Sequence, residues 1–209
     1  MMTNLKNHWN NVYQTKKPNE VSWTQENPAT SLDFIRSFNL PKTASIIDIG
    51  GGDSKLVDCL LDEGFVDITV LDISASSLEN AKKRLGNRAS MVTWIVADIN
   101  EFTPPKKYDL WHDRAAFHFL TTETEVRAYL NIVRNCVQGY MVVGTFSPEG
   151  PEKCSGLHVK QYSDDQLTNI FSEGFKKIRC IAVDHITPFN TKQNFTFCSF
   201  KSSMLGQAA

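Results

Sequence analysis

Ser45-Ile46-Ile47-Asp48-Ile49-Gly50-Gly51-Gly52-Asp53-Ser54 decides the fold. Residues 45–49 are short, apolar and rich in β-branched side chains, without strict polar alternation, as in a strand covered on both faces. The glycine triplet ends that strand. Leu56 to Glu63 then places Leu56, Val57, Leu60 and Leu61 at helical spacing, with Gly64 as a C-cap. Strand, glycine turn and helix in that order open a parallel α/β unit.

The unit repeats downstream. Ile68 to Leu71 reads as a second strand ending at Asp72, and Ser76 to Leu85 as a helix stopped by Gly86. Val92 to Val96 is a third strand ending near Asp98, and Tyr108 to Trp111 a shorter fourth. Thr122-Glu123-Thr124-Glu125 fits a capping box and opens a helix through Val133; Tyr140 to Thr145 is a fifth strand. A second capping box, Ser163 to Gln166, starts a helix to about Ser172, and Lys177 to Asp184 and Phe195 to Lys201 read as final strands. Upstream, residues 4–15 form a short amphipathic helix carrying Leu5, Trp9, Val12 and Tyr13. Lys16 to Pro28 is irregular, and Ala29 to Phe38 is helical before Pro41. The chain therefore predicts an α/β, doubly wound, Rossmann-like domain over residues 41–203, its mostly parallel sheet covered by helices on both faces. Residues 1–40 are predicted to form a helical cap or lid.

Length and composition agree with one compact domain. The 209 residues are 41% hydrophobic and 22% charged, ordinary for a water-soluble protein. A net charge of −1 gives no basic surplus for nucleic acid and no charged tail. Met1 to Asn10 is polar and lacks the apolar run of a secretory signal, and no stretch reaches membrane-spanning length. The five cysteines are odd in number, widely spaced and without a C-x-x-C pair. That argues against a disulfide framework and a zinc cluster, and for a reducing, cytoplasmic setting. His158 and His185 lack a partner pattern, so no metal is expected, and Cys154 reads as an inert thiol. Gly206 to Ala209 is expected to fray.

In an open parallel sheet, ligands bind beyond the carboxyl ends of the strands, where the strand order reverses. The glycine triplet at the first such end lets backbone approach a ligand closely, with amides facing it at a helix start. Asp72, twenty positions beyond Gly52, suits a bidentate hydrogen bond to ribose hydroxyls. Asp98 can accept from an adenine amino group. Each signal alone has a plain structural reading, as a tight turn or a helix start. Their joint placement at successive strand ends favours a nucleotide-type site.

In order, IIDIGGGDS (residues 46–54), VLDIS (70–74), VADI (96–99) and YDLWHDRAAFHFL (108–120) resemble the motifs of class I S-adenosylmethionine-dependent methyltransferases. The likeness is strongest over residues 44–147. The opening segment HWNNVYQTKKPNEVSW (8–23) is similar to those of thiopurine, tellurite and some protein-lysine methyltransferases. The resemblance implies a seven-stranded sheet whose last strand runs antiparallel. It implies S-adenosylmethionine as cofactor and S-adenosylhomocysteine as product. Asp48 would organise the glycine loop and orient the cofactor's amino group, while Gly50, Gly51 and Gly52 border its methionine and ribose. Asp72 would hold the ribose, Ile73 and Ile99 would pack on adenine, and Asp98 would meet its edge. His112-Asp113-Arg114, in a loop after the fourth strand, would lie near the methionine end of the cofactor and the reacting methyl, with His112 also contacting the cofactor and His112 and Asp113 as candidate proton acceptors. A structural salt link is the other reading of that trio. Trp9, Tyr13 and Trp23, with Arg114, are expected on the substrate side, as a lid or as plain packing. His118 is expected to pack within the segment that follows. The loop departs from the family pattern at Ser54, where the last glycine usually stands, and Val137-Gln138-Gly139 replaces the usual turn before the fifth strand.

Methyl transfer to a small molecule or a protein lysine is the activity so implied, by a monomer or weak dimer acting on neither nucleic acid nor membrane. In the family resembled, an Asn/Asp-Pro-Pro-Tyr/Phe after the fourth strand accompanies methylation of adenine or amide nitrogen; Trp111-His112-Asp113-Arg114 stands there instead, so the resemblance implies another acceptor. A nicotinamide-dependent oxidoreductase needs G-x-G-x-x-G, and Lys55 stands where its last glycine belongs. A catalytically silent cofactor-binding partner subunit is a further alternative.

Overall fold

The computed structural model describes residues 2–205, with side chains from Leu5 onward; the tail expected to fray lies outside the described residues. Two helices, α1 (Met2–Thr15) and α2 (Ala29–Arg36), precede the sheet. Then follow β1 (Ser45–Ile49), α3 (Leu56–Asp62), β2 (Asp67–Asp72), α4 (Ala75–Leu85), β3 (Val92–Val96), β4 (Tyr108–Arg114), α5 (Glu123–Cys136) and β5 (Val137–Phe146). A small hairpin, β6 (Lys153–Cys154) and β7 (Leu157–His158), leads to α6 (Asp164–Phe171), β8 (Phe175–Ile186) and β9 (Lys192–Ser202).

The main sheet is seven-stranded, in the order β3-β2-β1-β4-β5-β9-β8. β9 is antiparallel to both neighbours and the other strands run parallel to one another, as the resemblance implied. Because both faces are covered, strand residues of both parities are buried. Ile46, Val70, Leu110 and Val142 face α2, α3 and α4. Ile47, Ile49, Leu71, Trp111 and Val143 face α5 and α6. This two-faced burial is why β1 reads as one continuous apolar run. Thr122 and Ser163 cap α5 and α6 by accepting from the amides of Glu125 and Gln166. No described helix is long and apolar enough to cross a membrane.

Three expectations need correction. β4 runs on through His112, Asp113 and Arg114, which were expected in a loop. The extension pairs His112 with Asp48, Asp113 with Ile49 and Arg114 with Gly144, so the ladder overrides the polar sequence. The hairpin β6–β7 was not foreseen, its strands being too short to show a period. Finally, Cys180 and Cys198 are joined by a disulfide across β8 and β9, where the register sets them opposite each other. Cysteine spacing in the sequence carries no information about such cross-strand register.

Candidate functional site

A cavity opens at the carboxyl ends of β1, β2, β3 and β4, on the face that carries α1 and α2. The sheet order reverses between β1 and β4, where such a site is expected. Side-chain alternation decides who reaches it. Asp48 and Asp72 continue the parity of Ile46 and Val70; His112 and Arg114 continue that of Leu110. All four line the cavity.

Asp113 has the opposite parity, and the structure turns it away. It is fully buried against the α5 side. Its Oδ1 accepts from the amides of Ala116 and Phe117 at 3.0 Å each, and its Oδ2 from the Tyr129 hydroxyl at 2.8 Å. Burial, only partly offset by these donors, raises its pKa to about 6. His112 lines the cavity, but both ring nitrogens are engaged. Nδ1 lies 2.7 Å from Asp48 Oδ1 and Nε2 lies 2.8 Å from Ser31 Oγ. Neither expected proton acceptor is therefore free. Ser31, on α2, could not have been found from sequence, because 81 residues separate it from His112.

The glycine turn is shaped by close approach. Gly50 and Gly52 hold φ of +63° and +50°, which side chains rarely adopt. A Cβ on Gly50 would sit 2.7 Å from the Ala116 Cβ, and one on Gly52 2.8 Å from the Tyr13 hydroxyl. Gly51 also lines the cavity. Arg84 on α4 clamps the exit of the turn. Its Nη1 and Nη2 donate to the carbonyls of Asp53 and Ser54 at 2.6 and 2.9 Å while it pairs with Asp58. Sequence reasoning missed Arg84, whose place in the last turn of a helix reads as solvated charge.

Asp72 is 6% exposed at the end of β2. Its Oδ1 accepts from the Ser74 amide at 2.8 Å. Among the described residues no cation lies within ion-pairing distance of it. Burial drives its pKa up to about 7; the Ser74 amide and Ser77 hydroxyl oppose this, and Asp48 and Asp53 add to it. Ile73 lies beside it. Asp98 caps a short turn, accepting from Asn100 at 2.9 Å, and with Ile99 lines the adjoining wall.

Trp9, Tyr13 and Trp23 roof the cavity. The Trp9 ring meets Trp23 and Phe119 edge-on at 5.6 and 5.3 Å. α1 is tied to the start of α4: Asn10 accepts from Ser74 Oγ and the Ser76 amide, and Asn80 donates to the Tyr13 carbonyl. Burial and the nearby Asp72 raise the Tyr13 pKa well above the usual phenol value.

Beyond β4 the wall changes character. Arg114 donates from Nη1 to the Trp23 carbonyl at 3.0 Å and lies over the Phe195 ring of β9 at 5.1 Å. Its buried Nη2 has no partner. Burial lowers its pKa to about 10, against the opposing pull of Cys154 and Asp48. Cys154 lines the same end, and burial pushes its thiol up to about 11, in line with an inert group. His118 lies in a short turn, its Nδ1 accepting from the Phe146 amide at 3.3 Å; burial, then Arg114, lowers its pKa to about 3.

Comparison with known proteins bears on this arrangement. Residues 46–139 match the family model described as a methyltransferase domain. A malonyl-[acyl-carrier protein] O-methyltransferase of Anoxybacillus flavithermus is 35% identical over 103 residues. That match covers 49% of this chain and 39% of the relative's length, so the chain covers well under two thirds of it. The EEF1A lysine methyltransferase 2 of Danio rerio is 24% identical across 83% of this chain and 76% of its own. A solved S-adenosylmethionine-dependent methyltransferase of Anabaena variabilis shares the fold, with a TM-score of 0.73 and 16% identity over 96% of this chain and 94% of that one. The matched segment contains the strand ends that build the cavity, and over it the chain is similar to a methyltransferase domain.

Proposed function

We propose that the protein transfers a methyl group from S-adenosylmethionine to a small-molecule or protein acceptor. One observation carries this reading: the glycine turn, Asp72 and Asp98 converge on a single cavity from three successive strand ends. The residues fit the cofactor. Asp72 is a buried carboxylate with one amide donor and no cation, so vicinal ribose hydroxyls would supply what it lacks. Asp98 and Ile99 would border adenine, with Ile73 on its face. Gly50, Gly51 and Gly52 would border the ribose and methionine, and Asp48 would receive the amino group. His112 and Ser31 act through Asp48, holding its carboxylate in one orientation.

The bound cofactor supplies an activated methyl on a sulfonium, with a neutral leaving group. The chain's part is then alignment and exclusion of water rather than proton removal. His112 has both nitrogens occupied and Asp113 faces the other side of the sheet, so neither serves as the base in this proposal. Residues 1–40 form the lid, with Trp9, Tyr13 and Trp23 closing over the site and residues 41–203 forming the body. The wide aromatic roof and the near-neutral chain suit a small or peptidic acceptor better than nucleic acid.

Calorimetric titration with S-adenosylhomocysteine and with NADH tests the cofactor. The first binds and the second does not; the reverse overturns the proposal. Methyl release from labelled S-adenosylmethionine over amine, thiol, carboxylate and protein acceptors then tests turnover. Cofactor binding with no product on any acceptor would instead support a silent subunit.

A further inference from the structure

The cavity has two unlike ends. Over β1 to β3 the polar side chains that reach it from the strand ends are the carboxylates of Asp48, Asp72 and Asp98, beside the backbone of the glycine turn. Beyond β4 they are donors without acceptors. The Arg114 Nη2 and the Trp23 indole Nε1 are both buried and unpartnered, and both residues line the cavity. They are neighbours, since Arg114 Nη1 donates to the Trp23 carbonyl. The Tyr13 hydroxyl approaches the indole without completing a hydrogen bond. His118, close enough for the Arg114 charge to act on it, adds a third buried and unpartnered nitrogen at Nε2. Among the described residues no carboxylate pairs with Arg114; Asp48, the acid whose charge reaches it, is hydrogen-bonded to His112. A buried guanidinium without a counter-ion is costly, as is each buried donor left unmade. A ligand oxyanion would remove both costs at once.

We infer that Arg114, with Trp23 beside it, receives a carboxylate of the methyl acceptor. The inference rests on the methyltransferase reading above and narrows its substrate class. The carboxylate belongs to the acceptor, not the cofactor, because of where Arg114 points. The guanidinium lies over Phe195 of β9, across β4 and β5 from the glycine turn, whereas every residue assigned to the cofactor stands over β1 to β3 or on Asp48. A single positive charge matches a carboxylate, while a phosphate dianion would stay half-neutralised. Trp9, Trp23 and Phe119 make the neighbouring wall aromatic, so the acid is carried on an apolar or aromatic body.

The test uses the full chain saturated with S-adenosylhomocysteine. Phenylacetate, phenylacetamide and inorganic phosphate are titrated in turn and followed by calorimetry or by ligand-observed NMR. Phenylacetate is expected to bind at least about tenfold more tightly than its amide, as a charge-assisted hydrogen bond requires. Phosphate is expected to bind more weakly than phenylacetate. Arg114→Met should abolish the preference for acid over amide, Arg114→Lys should retain part of it, and both should bind S-adenosylhomocysteine within about twofold of the parent. Equal binding of acid and amide, or tighter binding of phosphate, overturns the inference. So does a large loss of S-adenosylhomocysteine affinity in folded Arg114→Lys or Arg114→Met, which would assign the guanidinium to the cofactor's own carboxylate. Failure of the parent protein to bind S-adenosylhomocysteine at all sinks the cofactor reading instead, and is seen before any acid is added.

Discussion

Asp72 and Asp113 lie at the carboxyl ends of β2 and β4, on either side of β1, and both are buried carboxylates whose burial raises their pKa, to about 7 and about 6. Their surroundings differ. Asp113 accepts two amides and the Tyr129 hydroxyl, and Tyr129 in turn accepts from the Trp111 indole at 2.8 Å. Each donor within this network has its acceptor, and the network lies in the core beneath α5. Asp72 has one amide on Oδ1, no cation, and a cavity in front of it. The contrast separates a polar group that completes the fold from one that, in the function proposed, takes a ligand. Degree of burial does not separate them; satisfaction of lone pairs does.

Replacing each aspartate should break stability in one case and binding in the other. Asp113→Ala strands the Tyr129 hydroxyl and two buried amides, so about 3 kcal/mol of stability is expected to go, or roughly 6–12 °C in Tm for a chain of this size. Affinity for S-adenosylhomocysteine, measured on the folded fraction, should hold. A variant that melts normally but no longer binds ligand would move Asp113 into the site. Asp72→Asn should do the opposite. Loss of the charged acceptor for two hydroxyls is expected to weaken cofactor binding by about 1–3 kcal/mol. The unliganded protein should be no less stable at pH 8. The sign follows from the raised pKa: the folded state holds the proton more tightly than the unfolded chain. The stability linked to it is full below the unfolded carboxyl value and is lost as pH rises through about 7. Removing that carboxylate removes the loss.

The same raised value makes a smaller, continuous test of the comparison. In the site proposed, ribose hydroxyls would donate best to ionised Asp72, so cofactor affinity should rise as pH climbs through about 7, by about tenfold between pH 6 and pH 8. Asp72→Asn should flatten that slope. A slope that survives the substitution would assign the titration to another group and leave Asp72 without its special role.

The sequence revealed the rim but not its second face. Strand ends at Asp48, Asp72 and Asp98 were legible because short apolar runs and glycines mark them independently of tertiary contact. His112-Asp113-Arg114 was placed in a loop because three polar residues interrupt an apolar pattern. In the fold the ladder pairs all three backbones and the side chains of His112 and Asp113 find partners, while the Arg114 Nη2 is left without one. Had β4 been carried through Arg114, period-two alternation would have set Asp113 opposite His112 and Arg114, and so outside the cavity. Ser31, the Cys180–Cys198 bridge and the Trp23–Arg114 pair join residues 18 to 91 positions apart, and no local pattern encodes such contacts.

Arg84 sharpens the contrast at its weakest point, because it lines the end of the cavity proposed for the cofactor while its guanidinium is engaged with protein groups. Its guanidinium ties the carbonyls of Asp53 and Ser54 to Asp58, so it links the end of α4 to the turn that follows β1. A partly exposed ion pair of this kind adds little to folding, and Arg84→Met should cost less than about 1 kcal/mol of stability. The turn, however, must hold Gly50 and Gly52 at positive φ and present its amides in one direction. Loosening it should weaken S-adenosylhomocysteine binding by about threefold, through ordering that the ligand must then supply. The loss should appear as a less favourable entropy in calorimetry and leave the pH slope from Asp72 untouched. If binding is unchanged, tight packing of Gly50 against Ala116 and of Gly52 against Tyr13 holds the turn unaided, and the clamp belongs with Asp113 among the groups that serve only the fold.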